Sequence, residues 1–145
     1  MVIVILKMKL KRSQYQHTPP TEIELAWMSG IWEGEGCWQY KKSRDKYNHR
    51  NGKTYTQSPE LRMSIQMVDK DIVDRVAKIM DNRTVTYTHV PSKKEKGWKP
   101  LYTFSIAGKS AILWTNLMKP YLGKRRMEKI ETIYENIDTE LIWLV

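Results

Sequence analysis

The sequence predicts an α+β fold built on short antiparallel strands, and three observations carry that prediction. Residues 61–67 alternate strictly. Leu61, Met63, Ile65 and Met67 go to one side and Arg62, Ser64 and Gln66 to the other, the period of a half-buried strand. Residues 72–80 instead place Ile72, Val73, Val76, Ala77, Ile79 and Met80 at helical spacing. Asn51-Gly52 is a hairpin signal, because both residues accept the positive φ of a type I′ turn.

The remaining elements follow in order. Pro19-Pro20 closes an N-terminal arm of residues 1–20, and residues 21–145 read as a single domain. Thr21 stands three residues before Glu24, the spacing of a capping box, so a first helix is expected over about residues 22–32. Its apolar residues (Ile23, Leu25, Ala26, Trp27, Met28, Ile31 and Trp32) spread wider than one stripe, which predicts burial on more than one side. Gly34 and Gly36 are expected to stop it. Trp38 and Tyr40 then alternate with Gln39, Lys41 and Ser43, a strand with one polar face. After residues 61–67, Asp69 or Asp71 is placed to cap the second helix. A β-rich run over 83–90, a basic loop over 91–99 and a strand over 101–107 come next. Gly108 precedes an apolar helix over about 110–118, which Pro120 ends. Met127, Ile130, Ile133, Tyr134 and Ile137 mark a final helix over 124–137.

Twenty-five Lys and Arg stand against 16 Asp and Glu, a net charge of +9 that favours a polyanionic partner through counterion release. Cys37 is the one cysteine, which excludes an intrachain disulfide and a thiolate metal site and fits a reducing, intracellular compartment. Residues 1–6 are apolar but too few to span a bilayer, and the basic residues follow them, the wrong order for a signal peptide. No membrane partner is expected.

Residues 28–36 break a local rule. A helix end exposes carbonyls with partial negative charge, and Glu33 and Glu35 sit at that same end, where Lys or Arg would be favoured. A divalent cation would offset the repulsion, and hard oxygen ligands without nearby His or Cys point to Mg2+ more than to Zn2+. Gly30 and Gly34, four apart with Ser29 alongside, are small enough to let two helix backbones approach closely. A two-fold axis through that contact would bring two copies of Glu35 together. Two carboxylates beside a phosphate suit metal-assisted phosphodiester hydrolysis.

Met28-Ser29-Gly30-Ile31-Trp32-Glu33-Gly34-Glu35-Gly36 resembles the nine-residue motif that names the LAGLIDADG homing endonucleases. The glycines at 30 and 36 are kept, and Glu replaces Asp at both acid places. The order of elements is similar to that family's α-β-β-α-β-β-α core over about residues 22–137. The stretches 65–71 and 119–126 resemble its second-strand exit and the turn before its last helix. The resemblance implies a site-specific double-strand DNA endonuclease, a homodimer on a pseudo-palindromic site, with a saddle-shaped antiparallel sheet in the major groove. It implies Mg2+ or Mn2+ at Glu35 and Gly34, Asp69 orienting water, and Lys124 or Arg125 near the scissile phosphate. It implies no small-molecule cofactor, a structural role for Glu33 at the helix end, and a helix-to-helix dimer contact through Ser29, Gly30, Glu33 and Gly34. DNA reading falls to Gln39, Lys41, Ser43, Arg62, Ser64, Gln66 and Thr103, with Arg and Gln suited to guanine and adenine edges. Lys46, Arg50, Lys53, Lys93, Lys94 and Lys96 suit phosphates. The competing function is an RNA maturase or a non-cleaving DNA-binding protein on the same fold. A pure binder, however, has no reason to keep two acids at a helix end facing phosphate.

Overall fold

The computed structural model describes residues 19–81, 87–89 and 99–137. The arm up to residue 18, most of the 83–90 run, Lys93, Lys94 and Lys96, and the chain after 137 lie outside the described residues. In chain order the elements are α1 (Glu22–Glu35), β1 (Gly36–Lys41), β2 (Arg44–Asn48), β3 (Lys53–Gln57), β4 (Glu60–Met67), α2 (Lys70–Asp81), β5 (Tyr87–His89), β6 (Leu101–Ala107), α3 (Lys109–Met118), a 3-10 turn (Lys119–Tyr121) and α4 (Lys124–Tyr134). The fold is α+β.

Thr21 caps α1 as its spacing predicts: the Glu24 amide donates to Thr21 Oγ1 at 3.1 Å, and that hydroxyl faces Glu24 Oε1 at 3.3 Å. The other end differs from expectation. Gly34 lies inside the helix, and only Gly36 ends it, with an extended backbone (φ −76, ψ 151) whose amide donates back to Trp32 O. Helix therefore passes into strand with no loop between. Glycine is needed at 36 for space, not for a left-handed φ. A Cβ there would stand 2.4 Å from Trp32 O and 2.6 Å from Trp32 Cε3. Gly36→Ala is expected to destabilise the chain by about 1–3 kcal/mol through overpacking. Equilibrium urea unfolding checks this, and a midpoint equal to wild type would show that the junction relaxes freely.

Four strands form an antiparallel sheet in the order β1-β4-β6-β5. Gly36 faces Ile65, Trp38 faces Met63 and Tyr40 faces Leu61, while Ile65 faces Phe104 across the next ladder. This inner face is buried: Trp38, Leu61 and Met63 have no exposed surface, and Ile65 and Phe104 almost none. α1 and α3 lie on β4, α2 and α3 on β6, and α4 on β1. They bring Met28, Trp32, Val73, Val76, Ala77, Met80, Ile112, Trp114, Met118 and Ile130 into the core. Trp38 Nε1 donates to Thr115 Oγ1 at 2.9 Å, which keeps this buried threonine satisfied. The first bond of the second helix runs from Val73 N to Asp69 O at 3.3 Å, and neither Asp69 nor Asp71 makes the capping side-chain hydrogen bond expected of it among the described residues.

Two elements depart from the reading of the sequence. Asn51-Gly52 does not join β1 to β4. It tips a separate two-stranded ribbon, β2 with β3, inserted between them, with Gly52 at φ +68. α1 is also buried on one side only. Met28, Ser29 and Trp32 point inward, whereas Ile23 is 82% exposed. Its wide apolar distribution leaves part of the helix facing outward.

Candidate nucleic-acid interface and acidic helix end

Because side chains alternate along a strand, burying Trp38, Met63 and Phe104 forces the neighbouring positions to the opposite face. The register lines them up in rows. Gln39 faces Arg62, Cys37 faces Ser64, which faces Ser105, and Gln66 faces Thr103. Gln39, Arg62, Gln66 and Ser105 are exposed, and Cys37, Ser64 and Thr103 partly so. The structure therefore gathers Gln39, Arg62, Ser64, Gln66 and Thr103 on the polar face of the sheet, opposite the side on which the described helices pack their core residues. Lys41 ends the same series but forms an ion pair with Glu60 at 3.6 Å, both side chains about a quarter exposed. Ser43 lies exposed between β1 and β2, outside the sheet. Cys37 and Ser105 complete the rows and were not singled out from sequence. Stepping by two from Gln39 and from Thr103 would have found them.

The ribbon extends from the far end of β1. Arg44, Lys46 and Asn48 alternate with Asp45 and Tyr47, and Lys46 faces Tyr55. One side of it thus carries Arg44, Lys46, Lys53 and Tyr55, with Tyr55 51% exposed. The other side holds Asp45, bonded to Thr56 at 2.7 Å.

The opposite end of the sheet holds the acids. No basic residue occupies the last turn of α1. The countercharge comes from α4 instead. Arg126 Nη2 donates to the Glu33 carbonyl at 2.6 Å, Arg126 Nε lies 4.0 Å from the Glu33 carboxylate, and the Gly123 amide donates to Glu33 Oε2 at 3.2 Å. Glu35 is exposed and makes no ion pair or side-chain hydrogen bond with any described residue. β1 leaves this helix end opposite Ile65, so β4 runs out toward the same end and delivers exposed Asp69 two residues past its last position. Gly123, held on Glu33, is followed at once by exposed Lys124 and Arg125. Topology thus brings Glu35, Asp69, Lys124 and Arg125 to one end of the sheet. Lys124 has only a 4.0 Å contact with Glu128, both highly exposed, which holds it weakly.

Among the described residues no three His, Cys, Asp or Glu side chains cluster for a metal. Glu35 and the Gly34 carbonyl supply oxygen donors of the kind a hard divalent cation takes, but only part of a coordination sphere. Two described groups have perturbed acidity: the Asp74 hydrogen bond holds Lys70, the residue after Asp69, above its ordinary value, and burial raises the Tyr134 phenol.

The four residues expected at a helix-to-helix contact divide into two pairs. Gly30 and Gly34 are exposed, and a Cβ at either would meet nothing within 4 Å. Ser29 is fully buried, its Oγ donating to Leu25 O at 2.7 Å, and Glu33 is turned to α4. Neighbouring helix residues stand about 100° apart, so Ser29 and Glu33 cannot share the glycine face. Ile23, Ala26, Gly30 and Gly34 can, and all four are exposed. Among the described residues no helix is long and apolar enough to cross a membrane.

No family model matches the chain, and no curated protein matches it. Among solved structures it is similar to the group I intron-encoded homing endonuclease I-CeuI complexed with DNA, at 11% identity and a TM-score of 0.49. That alignment covers 91% of this chain and 61% of that one.

Proposed function

We propose that this chain is a metal-dependent DNA endonuclease that acts as a homodimer. The observation that carries the reading is the placement of Glu35. It is an exposed carboxylate at a helix end, without a partner among the described residues, at the rim of the polar sheet face bearing Gln39, Arg62, Ser64, Gln66 and Thr103. Such a face offers bidentate partners for guanine and adenine edges, and the +9 charge supplies the general affinity for phosphate. Glu35 would bind Mg2+ or Mn2+ with the Gly34 carbonyl beside it. The metal, when bound, activates water and neutralises charge on the phosphate. Lys124 and Arg125 would stand by the scissile phosphate and Asp69 would orient water.

Among the described residues Glu35 is the one acid of the α1 end left without a partner, so a nuclease that cuts both strands with it would use two copies. The strip Ile23, Ala26, Gly30 and Gly34 supports their contact, since its glycines leave room for a second helix. The motif over residues 28–36 supports the same reading.

The test is incubation with Mg2+ of the chain's own coding locus and of an uninterrupted version of that locus. Cutting of the uninterrupted DNA at a near-palindromic site is expected. Cutting of neither substrate overturns the reading. Sedimentation at micromolar concentration should give a dimer that Gly30→Glu splits, because the substitution opposes like charges across the two-fold axis. A wild-type monomer, with and without DNA, overturns the dimer.

A further inference from the structure

Glu33 has work to do that differs from that of Glu35. The two acids stand two residues apart but meet different surroundings. Glu35 has no partner among the described residues, whereas Glu33 bridges to a segment 90 residues away. Its carboxylate accepts the Gly123 amide at 3.2 Å, and its carbonyl accepts Arg126 Nη2 at 2.6 Å. Arg126 is itself held, with its guanidinium 5.2 Å over the ring of fully buried Trp38. Its Nε adds a 4.0 Å approach to the same carboxylate, and its side chain is only 13% exposed.

We propose that Glu33 and Arg126 form a clamp that positions the cations of the α4 N-terminus against the Glu35 carboxylate. They are positioning residues, since neither need touch DNA or metal. The physical case is one of distance along the chain. Lys124 and Arg125 sit on long, exposed side chains with no firm partner of their own, so their backbone sets where they can act. That backbone is fixed at Gly123 by Glu33 and at Arg126 by the end of α1. Both attachments land within two residues of Glu35. The clamp also gives α1 the cationic partner its last turn lacks. Gly123 belongs to it through its small size: φ is −75, open to any residue, but a Cβ would stand 2.9 Å from Glu33 Oε1. Alanine at 123 would push the carboxylate aside without removing it.

The inference rests on the endonuclease reading for its consequence, and the experiment separates the two. Wild type, Glu33→Ala, Glu33→Gln, Arg126→Gln and Gly123→Ala are compared in single-turnover DNA cleavage, in DNA affinity with Ca2+, and in the amide spectrum and hydrogen exchange of Gly123. Glu33→Ala is expected to lower the cleavage rate by about a hundredfold, the scale of a misplacement near 1 Å, and Gly123→Ala, which only displaces the end of the Glu33 side chain, by less. DNA affinity should hold within about threefold, since the clamp lies off the reading face. Glu33→Gln is expected to recover most of the rate, because an amide oxygen still accepts from Gly123 N. The Gly123 amide should lose protection in Glu33→Ala and keep it in Glu33→Gln. Unchanged cleavage in both Glu33→Ala and Gly123→Ala overturns the clamp, as does an unprotected Gly123 amide in wild type. A wild type that cuts no DNA but shows the expected Gly123 protection pattern defeats the endonuclease reading and upholds the contact.

Discussion

Glu35→Ala is expected to lower DNA cleavage at least about a thousandfold while leaving DNA affinity and thermal stability close to wild type. The size follows from what the residue would do. A metal that polarises phosphate and activates water is worth several kcal/mol of barrier, and each 1.4 kcal/mol is tenfold in rate. The selectivity follows from what the residue does not do. Glu35 is exposed and has no partner among the described residues, so its removal opens no cavity and strands none of them. It stands at the tip of the sheet, off the rows that carry Gln39 with Arg62 and Gln66 with Thr103. Loss of a carboxylate from a basic surface should even tighten non-specific DNA binding slightly. Single-turnover cleavage and a salt titration of binding on the same preparations check both halves. A variant that cuts as fast as wild type removes Glu35 from the metal site. A variant that neither binds nor folds makes it structural.

Glu35→Asp gives a finer comparison. Shortening the side chain by one methylene withdraws the carboxylate by roughly the length of one C–C bond, about 1.5 Å. If the site was built around Glu, Asp should cut more slowly than wild type, yet faster than Ala.

What the sequence made legible follows the range of each interaction. The Thr21 cap is local, closed by a residue three positions away, and it is present. The strict alternation at 61–67 records a strand with one side in the core. It placed Arg62, Ser64 and Gln66 together because a period of two needs no knowledge of the neighbours. The β2–β3 ribbon has no such record. Seven of its ten residues are exposed and none is buried, so no apolar period marks it, and only Asn51-Gly52 signals a turn. The end of α1 was misjudged for the opposite reason. Gly34 costs a helix about 1 kcal/mol relative to alanine, which argues for a stop there. Arg126 and Gly123 hold the last turn from a distance of 90 residues in sequence, and no local pattern encodes that. Ser29 follows the same logic. Its size suggested a contact with another helix, but its position 100° from Gly30 turns it into the core.

Trp38→Ala is expected to be among the most damaging single substitutions for stability, by about 3–5 kcal/mol, against a total of roughly 5–15 kcal/mol for a domain of ordinary stability. Trp38 has no exposed surface and stacks at a tilt on Trp32, centroids 5.6 Å apart. It also lies beneath Arg126. Removing the ring therefore opens a cavity where α1, β1 and α4 meet, and takes the platform from under the guanidinium. Its Nε1 makes the buried bond to Thr115 Oγ1, whose hydroxyl also contacts Met63 Sδ at 3.2 Å. Trp38→Phe separates these contributions. It keeps much of the ring but leaves Thr115 without its donor, a loss of about 1–3 kcal/mol. Thr115→Val in the Trp38→Phe background should recover part of that loss, because the buried hydroxyl oxygen that has lost its donor is then gone and only its weak bond to Met63 Sδ goes with it. In the wild-type background the same Thr115→Val is expected to destabilise, since it strands the indole N–H instead. Urea unfolding of the four proteins in the cycle measures the coupling directly. Strictly additive effects would show that the bond from Trp38 to Thr115 adds nothing to burial of the ring.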